Sequence, residues 1–167
     1  MLLFEPFLDI LEDNNLDFFH TFRTLCSFPG VDSPSFKDFL GKFIPLEEVP
    51  KNQQSAAHEE ATTWLQKYEQ RLIESESAAG QDASSRQNRM RTANPRFALR
   101  QWVLEEAIKR LDEKKDTAFL DLVMHMSVNP FESYGEDGAK NASEEEQARL
   151  CGIGPQGMLG MQCSCSS

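Results

Sequence analysis

Histidine and cysteine are scarce in this sequence, and long apolar runs and period-two alternation are missing from it. Three histidines and four cysteines in 167 residues leave little material for a metal centre or a nucleophile–base pair. His20, His58 and His125 stand apart by type and spacing, so each is expected as a packed or surface residue. No apolar stretch approaches the roughly 20 residues that cross a bilayer, which predicts a soluble protein with no membrane partner. The start, Met1-Leu2-Leu3-Phe4-Glu5-Pro6-Phe7, has no basic region and meets an acid at once. It reads as neither a secretory signal nor an Arg-rich transit peptide, and a chain made as it stands is expected in the cytoplasm. Positive charge is also short, with a formal net charge of -10. That balance argues against a nucleic-acid partner, because phosphate backbones call for a basic footprint. One stretch inverts it. No acid occurs between Asp82 and Glu105, while Arg86, Arg89, Arg91, Arg96 and Arg100 all lie there. Without interleaved aromatics, these arginines are expected to pair with acidic neighbours or a partner domain rather than with phosphates.

What the sequence does have is phenylalanine, at twelve positions, and helical periodicity. Leu2 to Ile10 is amphipathic, and Glu12-Asp13-Asn14-Asn15 breaks it. Leu16 to Cys26 follows, with Leu16, Phe19, Phe22 and Cys26 on one face, until Pro29-Gly30 ends it. Ser33-Pro34 reads as a cap and first turn for Phe36, Phe39, Leu40 and Phe43. From about Gln53 to Glu76, Ala57, Ala61, Trp64, Leu65, Tyr68 and Leu72 form one apolar stripe. Ser77 to Ser85 is small and polar and is expected to be a linker. Asn94 is predicted to cap a helix that Pro95 opens and that Leu99, Val103, Ala107 and Leu111 stripe. Thr117 to Ser127 gives another helix, stopped by Asn129-Pro130. From Glu132 onward no period is legible and glycines recur. The fold class is therefore all-α, with a helical region over 1–131 and a flexible acidic, Gly-rich tail over 132–167.

Three short motifs fail for lack of context. Gly152-Ile153-Gly154-Pro155-Gln156-Gly157 matches a dinucleotide-type glycine loop, but no strand is predicted before it. His58-Glu59-Glu60 begins like a zinc-protease helix, yet Thr62 stands where the second histidine is required. Asn141-Ala142-Ser143 is a glycosylation sequon without a secretory route. The ending Cys163-Ser164-Cys165-Ser166-Ser167 is different. Its thiols are incidental, or half of a tetrahedral zinc site, or redox-active. A mobile, accessible thiolate that exchanges with another cysteine suits such a terminus better than metal does. Cys26 sits on an apolar helical face and reads as core, and Cys151 is no evident partner.

Several stretches, in order, carry a family resemblance. Asn94-Pro95-Arg96-Phe97-Ala98-Leu99-Arg100-Gln101-Trp102 with Glu106-Ala107-Ile108 is the strongest. Asp17 with Thr21-Phe22-Arg23 and Leu25, Trp64-Leu65 with Tyr68 and Arg71-Leu72, Asn129-Pro130-Phe131, and the terminal Cys165-Ser166-Ser167 accompany it. Together they resemble the C-terminal part of the selenoprotein O family, from about Asp17 to Ser167. The resemblance implies a protein-kinase-like enzyme that moves AMP from ATP to Ser, Thr or Tyr hydroxyls of protein substrates. It also implies a need for Mg²⁺ or a similar ion, and for eukaryotic members a mitochondrial, redox-linked setting. By position it makes Cys165 the redox residue, with Cys163 as a local alternative partner. The family's nucleotide-binding lysine, metal-binding Asp and Asn, and glycine loop lie upstream of the residues matched here. The chain is therefore expected to supply no catalytic, cofactor-binding or metal-binding residue. Its expected partner is the kinase-like lobe of a longer protein, against which Arg96 and Arg100 would pair. The competing readings are a stand-alone α-helical interaction module and a small thiol-dependent redox protein.

Overall fold

The computed structural model describes residues 3–45, 49, 51–79 and 82–154. Among these, eight helices and no strand occur: α1 Phe4–Asp13, α2 Phe18–Leu25, α3 Phe36–Phe43, α4 Gln54–Ala79, α5 Ala83–Ala93, α6 Gln101–Lys114, α7 Thr117–Val128 and α8 Ala142–Leu150. The all-α expectation is met. The chain divides into two compact units, Met1–Asn94 and Pro95–Ser167.

Short polar side chains start several of these helices. Asp17 accepts from the His20 backbone N–H at 2.7 Å, Asp82 from Ser85 at 2.7 Å, and Asp116 from Phe119 at 3.1 Å. Asn141 accepts from Glu144 N–H at 3.0 Å, while Glu144 Oε2 reaches back to Lys140 N–H at 2.8 Å. Each cap satisfies an amide that the first turn leaves without a helical partner.

The first unit is built around α4. The predicted stripe is its buried face: Ala57, Ala61, Trp64 and Leu65 are in the core, and Tyr68 and Leu72 pack against it. Phe7 stacks on Trp64 with ring centroids 4.7 Å apart, and Tyr68 also stacks on Trp64, at 5.2 Å. Phe22 meets Phe7 edge-on at 4.9 Å, and Phe28 bridges Phe39 and Tyr68 at 5.4 and 5.6 Å. Phe7, Phe22, Phe28, Phe39 and Phe43 thus share one aromatic cluster, where each well-placed pair adds roughly 0.5–1.5 kcal/mol beyond area burial. Trp64 Nε1 also donates to the Leu3 carbonyl at 2.9 Å, tying α1 to α4.

The second unit is a helical hairpin closed by α8. Lys115, at φ 55, ends α6 in the left-handed conformation, and Asp116 caps α7 at once. Trp102, Val103 and Ala107 of α6 share a core with Phe119, Val123 and Met126 of α7, completed by Phe97, Tyr134, Leu150 and Cys151.

Four expectations are corrected. Asn94 does not open a helix. It ends α5 with φ -111 and ψ 113, because a residue before proline is pushed out of the α region. Residues 95–100 then run without helix, and the backbone N–H groups of Arg96 and Phe97 both donate to the Pro130 carbonyl, at 2.7 and 3.0 Å. The helix starts only at Gln101, so Leu99 lies outside the buried stripe. Second, Ser33-Pro34 is a turn rather than a cap, and Ser35 precedes α3 without a side-chain cap bond. Third, Ser77 to Ser85 is mostly helix, since α4 continues to Ala79 and Asp82 starts α5. Fourth, the stretch after Glu132 contains α8, which the Asn141–Glu144 cap begins and the burial of Leu150 anchors.

Candidate functional site

Within each unit, some of the stretches that carry the resemblance are bonded to one another. In the first unit α2 turns Arg23 inward, where it is 4% exposed. Its Nη1 donates to the carbonyls of Arg91 and Asn94, both at 2.7 Å. These are the last carbonyls of α5 and its C-cap, which no helical amide can reach, and a cation there also meets the negative end of the helix dipole. Asn94 turns its Nδ2 back onto the Met90 carbonyl at 2.8 Å and lies 3.8 Å from Cys26 Sγ. Thr21 Oγ1 donates to the Asp17 carbonyl at 2.8 Å and secures the start of α2. Tyr68 OH reaches Met90 Sδ at 3.6 Å, so α4 joins the same knot. In the second unit, Pro130 is the residue that clamps Arg96 and Phe97. The two Asn-Pro sequences therefore act through backbone geometry. Each ends a helix, and each supplies or receives main-chain bonds that fix the neighbouring motif.

The buried face of α2 departs from its predicted stripe. Phe18 and Phe19 are exposed, whereas Thr21, Arg23 and Leu25 are buried. The demand of α5 for a donor at its C-terminus turns Arg23 inward.

A second polar cluster binds α8 to α6. Arg149 Nη1 and Nη2 fork onto Glu106 at 3.0 and 2.8 Å, and its Nε donates to Glu146 at 2.7 Å. Arg110 Nη2 donates to Glu146 at 2.8 Å and also to Glu106. Two cations thus alternate with two carboxylates. The Arg149 hydrogen bond, then its charge, hold the Glu146 carboxyl below the usual glutamate range, and the same bond raises Arg149. The guanidinium of Arg110 lies 3.9 Å from the centre of the Phe119 ring, and that of Arg149 5.5 Å from Trp102. Burial first, then the Glu132 charge, push Tyr134 up to about 12. Its hydroxyl donates to the Asn129 carbonyl at 2.7 Å. Sequence reading missed this cluster. The Glu106–Arg110 and Glu146–Arg149 spacings were visible as helical pairs, but nothing local shows that they interlock.

The remaining motifs resolve as structure. Gly154, at φ +96, lies so close to the Trp102 indole that an added Cβ would overlap it. α8 precedes it, so the described part of the Gly-x-Gly sequence is a packing contact. His58 is half-buried with Nε2 3.2 Å from the Ile44 carbonyl, and Thr62 Oγ1 donates to the His58 carbonyl at 2.7 Å. His125 sits on α7 beside Asn129, with Nδ1 3.3 Å from its Nδ2. Cys26 and Cys151 are buried. Cys163 and Cys165, the redox candidates, lie outside the described residues. No group of three or more His, Cys, Asp or Glu side chains placed to hold a metal occurs among the described residues. Gly152 lies against the Arg149 carbonyl and Gly154 against the Trp102 indole, so the described part of this loop does not form a cradle for the phosphates of ATP. No described helix is long and apolar enough to cross a membrane.

The sequence model of the family described as "Protein adenylyltransferase SelO" matches residues 2–128, all of the first unit's helices together with α6 and α7. The chain belongs to the SelO family. It is 34% identical over 176 aligned positions to "Protein adenylyltransferase SelO, mitochondrial" of Schizosaccharomyces pombe, covering 99% of this chain and 28% of that protein. It is 26% identical over 165 positions to "Protein nucleotidyltransferase YdiU" of Vibrio atlanticus, again covering 99% of this chain and 28% of the relative. A Myxococcus xanthus protein of the same description is 32% identical over 104 positions, covering 60% and 20%. The chain thus spans 28% of the length of the first two SelO-family relatives. No solved structure matches it.

Proposed function

We propose that this chain is the C-terminal helical part of a SelO-family protein adenylyltransferase and that, alone, it neither binds ATP nor transfers AMP. One observation supports this above the others: 99% of the chain aligns with only 28% of the Schizosaccharomyces pombe protein. The activity of the whole protein, as the resemblance implies, is transfer of AMP from ATP to Ser, Thr or Tyr hydroxyls of protein substrates with a divalent ion. Its place is the mitochondrion, as the printed name of that relative states for its own protein. The role of this portion is to brace the kinase-like lobe. Arg23, Asn94 and Pro130 act as positioning groups for the backbone and contribute no reacting atom.

The thiol part of the proposal falls on Cys165, with Cys163 as its local alternative partner, and it is the pairing with Cys163 that the isolated chain can report. Intact mass under oxidising and reducing conditions tests it. A loss of two hydrogens that Cys163→Ser or Cys165→Ser abolishes is the expected result, and a chain that stays fully reduced sinks it. The activity is tested by joining this chain to the remaining portion of the Schizosaccharomyces pombe relative in place of the aligned region. The joined protein is expected to transfer AMP to a protein acceptor and the isolated chain is not. AMP transfer by the isolated chain defeats the proposal.

A further inference from the structure

α7 is apolar on two sides. Phe119, Val123 and Met126 are buried in the hairpin core. Leu120, Met124 and Val128, spaced by four, form a second ridge that is 37%, 58% and 71% exposed. Only Asp121 and His125 interrupt the helix with ionisable groups. α6 is half charged, but it too exposes two apolar residues spaced by four, Leu104 and Ile108, while Val103 and Ala107 are buried. One exposed leucine calls for no account, since much of any protein surface is apolar. A ridge of three on α7 does, because that helix is already buried along its other side, and a helix apolar on both sides belongs between two layers.

We propose that this outer face of the α6–α7 hairpin, centred on Leu120, Met124 and Val128, docks the remaining portion of a full-length SelO-family polypeptide. The proposal rests on the reading of the chain as a C-terminal part. The greater share of the Schizosaccharomyces pombe protein lies outside the aligned region, so a family polypeptide has the chain to cover this face. A second copy is a poor occupant. Each copy carries a net charge of -10, and an isologous dimer would bring together two rims holding the exposed acid Asp121 and the half-buried Glu105. The fitting partner surface is an apolar groove flanked by cations that meet Asp121 and Glu105.

The test compares the 167-residue chain alone with the same chain joined in place of the aligned region of the Schizosaccharomyces pombe protein. Oxidation of Met124 by peroxide and amide exchange over 117–128 are measured in both. In the joined protein, Met124 oxidation is expected to slow tenfold or more. Met124→Gln with Val128→Gln is expected to lower its melting temperature while leaving that of the isolated chain unchanged. Equal Met124 reactivity in the two proteins, in a joined protein that transfers AMP, overturns the docking face and leaves the C-terminal reading standing. AMP transfer by the isolated chain overturns that reading instead. Protection of Met124 in the isolated chain that grows with concentration and vanishes in the single variant Val128→Gln assigns the face to a second copy and also overturns the proposal. So does a joined protein that fails to fold.

Discussion

Replacing Arg23 by methionine isolates the knot at the end of α5. The substitution keeps an unbranched apolar stem of similar reach and removes only the guanidinium, so little cavity is expected. Two hydrogen bonds of 2.7 Å are lost, to the carbonyls of Arg91 and Asn94. Hydrogen bonds from a charged donor are worth roughly 1.5–3 kcal/mol each. Part of that sum returns, because the variant no longer desolvates a charge and because Asn94 Nδ2 still holds the neighbouring Met90 carbonyl. The expected cost is roughly 2–4 kcal/mol, confined to the first unit. Arg23→Lys should recover part of it, since both bonds come from the one nitrogen Nη1 and an ammonium also carries enough N–H groups for two carbonyls, but on a shorter stem. The two tryptophans make the assay clean, because Trp64 lies in the first unit and Trp102 in the second. In a Trp102→Phe background, urea unfolding followed by Trp64 emission reads the first unit directly. A cost below about 0.5 kcal/mol, the level of an ordinary surface change, would refute the reasoning and leave Arg23 as a buried bystander.

Two further outcomes concern the second unit. Glu146 is held below its ordinary value of 4.5 chiefly by the Arg149 hydrogen bond, so its contribution to stability is present above that value and is lost as pH falls through the lower folded one. Glu146→Gln should therefore cost about 0.5–1 kcal/mol at pH 7, after discounting for solvent screening. The gap from the parent chain should close on acidification below pH 4.5, read by Trp102 emission in a Trp64→Phe background; a gap independent of pH contradicts the assignment. Gly154→Ala forces a side chain into the Trp102 indole at a φ of +96. Loss of roughly 2–4 kcal/mol from strain and overlap with a shifted Trp102 emission is expected, and an unchanged spectrum and stability would show that the contact is not held in solution.

The all-α class and six of the eight described helices were legible because periodicity is a local signal. The stripe from Ala57 to Leu72 on α4 was read residue by residue, and the helix at Thr117 was placed correctly. The errors came where two local signals compete. Asn94-Pro95 satisfies the rule for a helix start, but the same proline restricts Asn94 to extended backbone, and the distant Arg23 and Pro130 decide the outcome. α8 was hidden because its sequence has a cap and one anchoring leucine but no stripe. Phe19 was assigned inside and Arg23 left unassigned, because no pattern within α2 reveals that α5 ends beside it. The family was legible from ordered motifs, whereas their physical roles emerged only when the partners were placed.

The most direct test of the central claim is titration of the purified 167-residue chain with ATP and Mg²⁺, followed by calorimetry and by transfer of labelled AMP to itself and to a protein acceptor. The account predicts no saturable heat and no incorporated label, because it assigns the residues that hold nucleotide and metal to another part of a family polypeptide. Saturable binding, or label incorporated into protein, would contradict it.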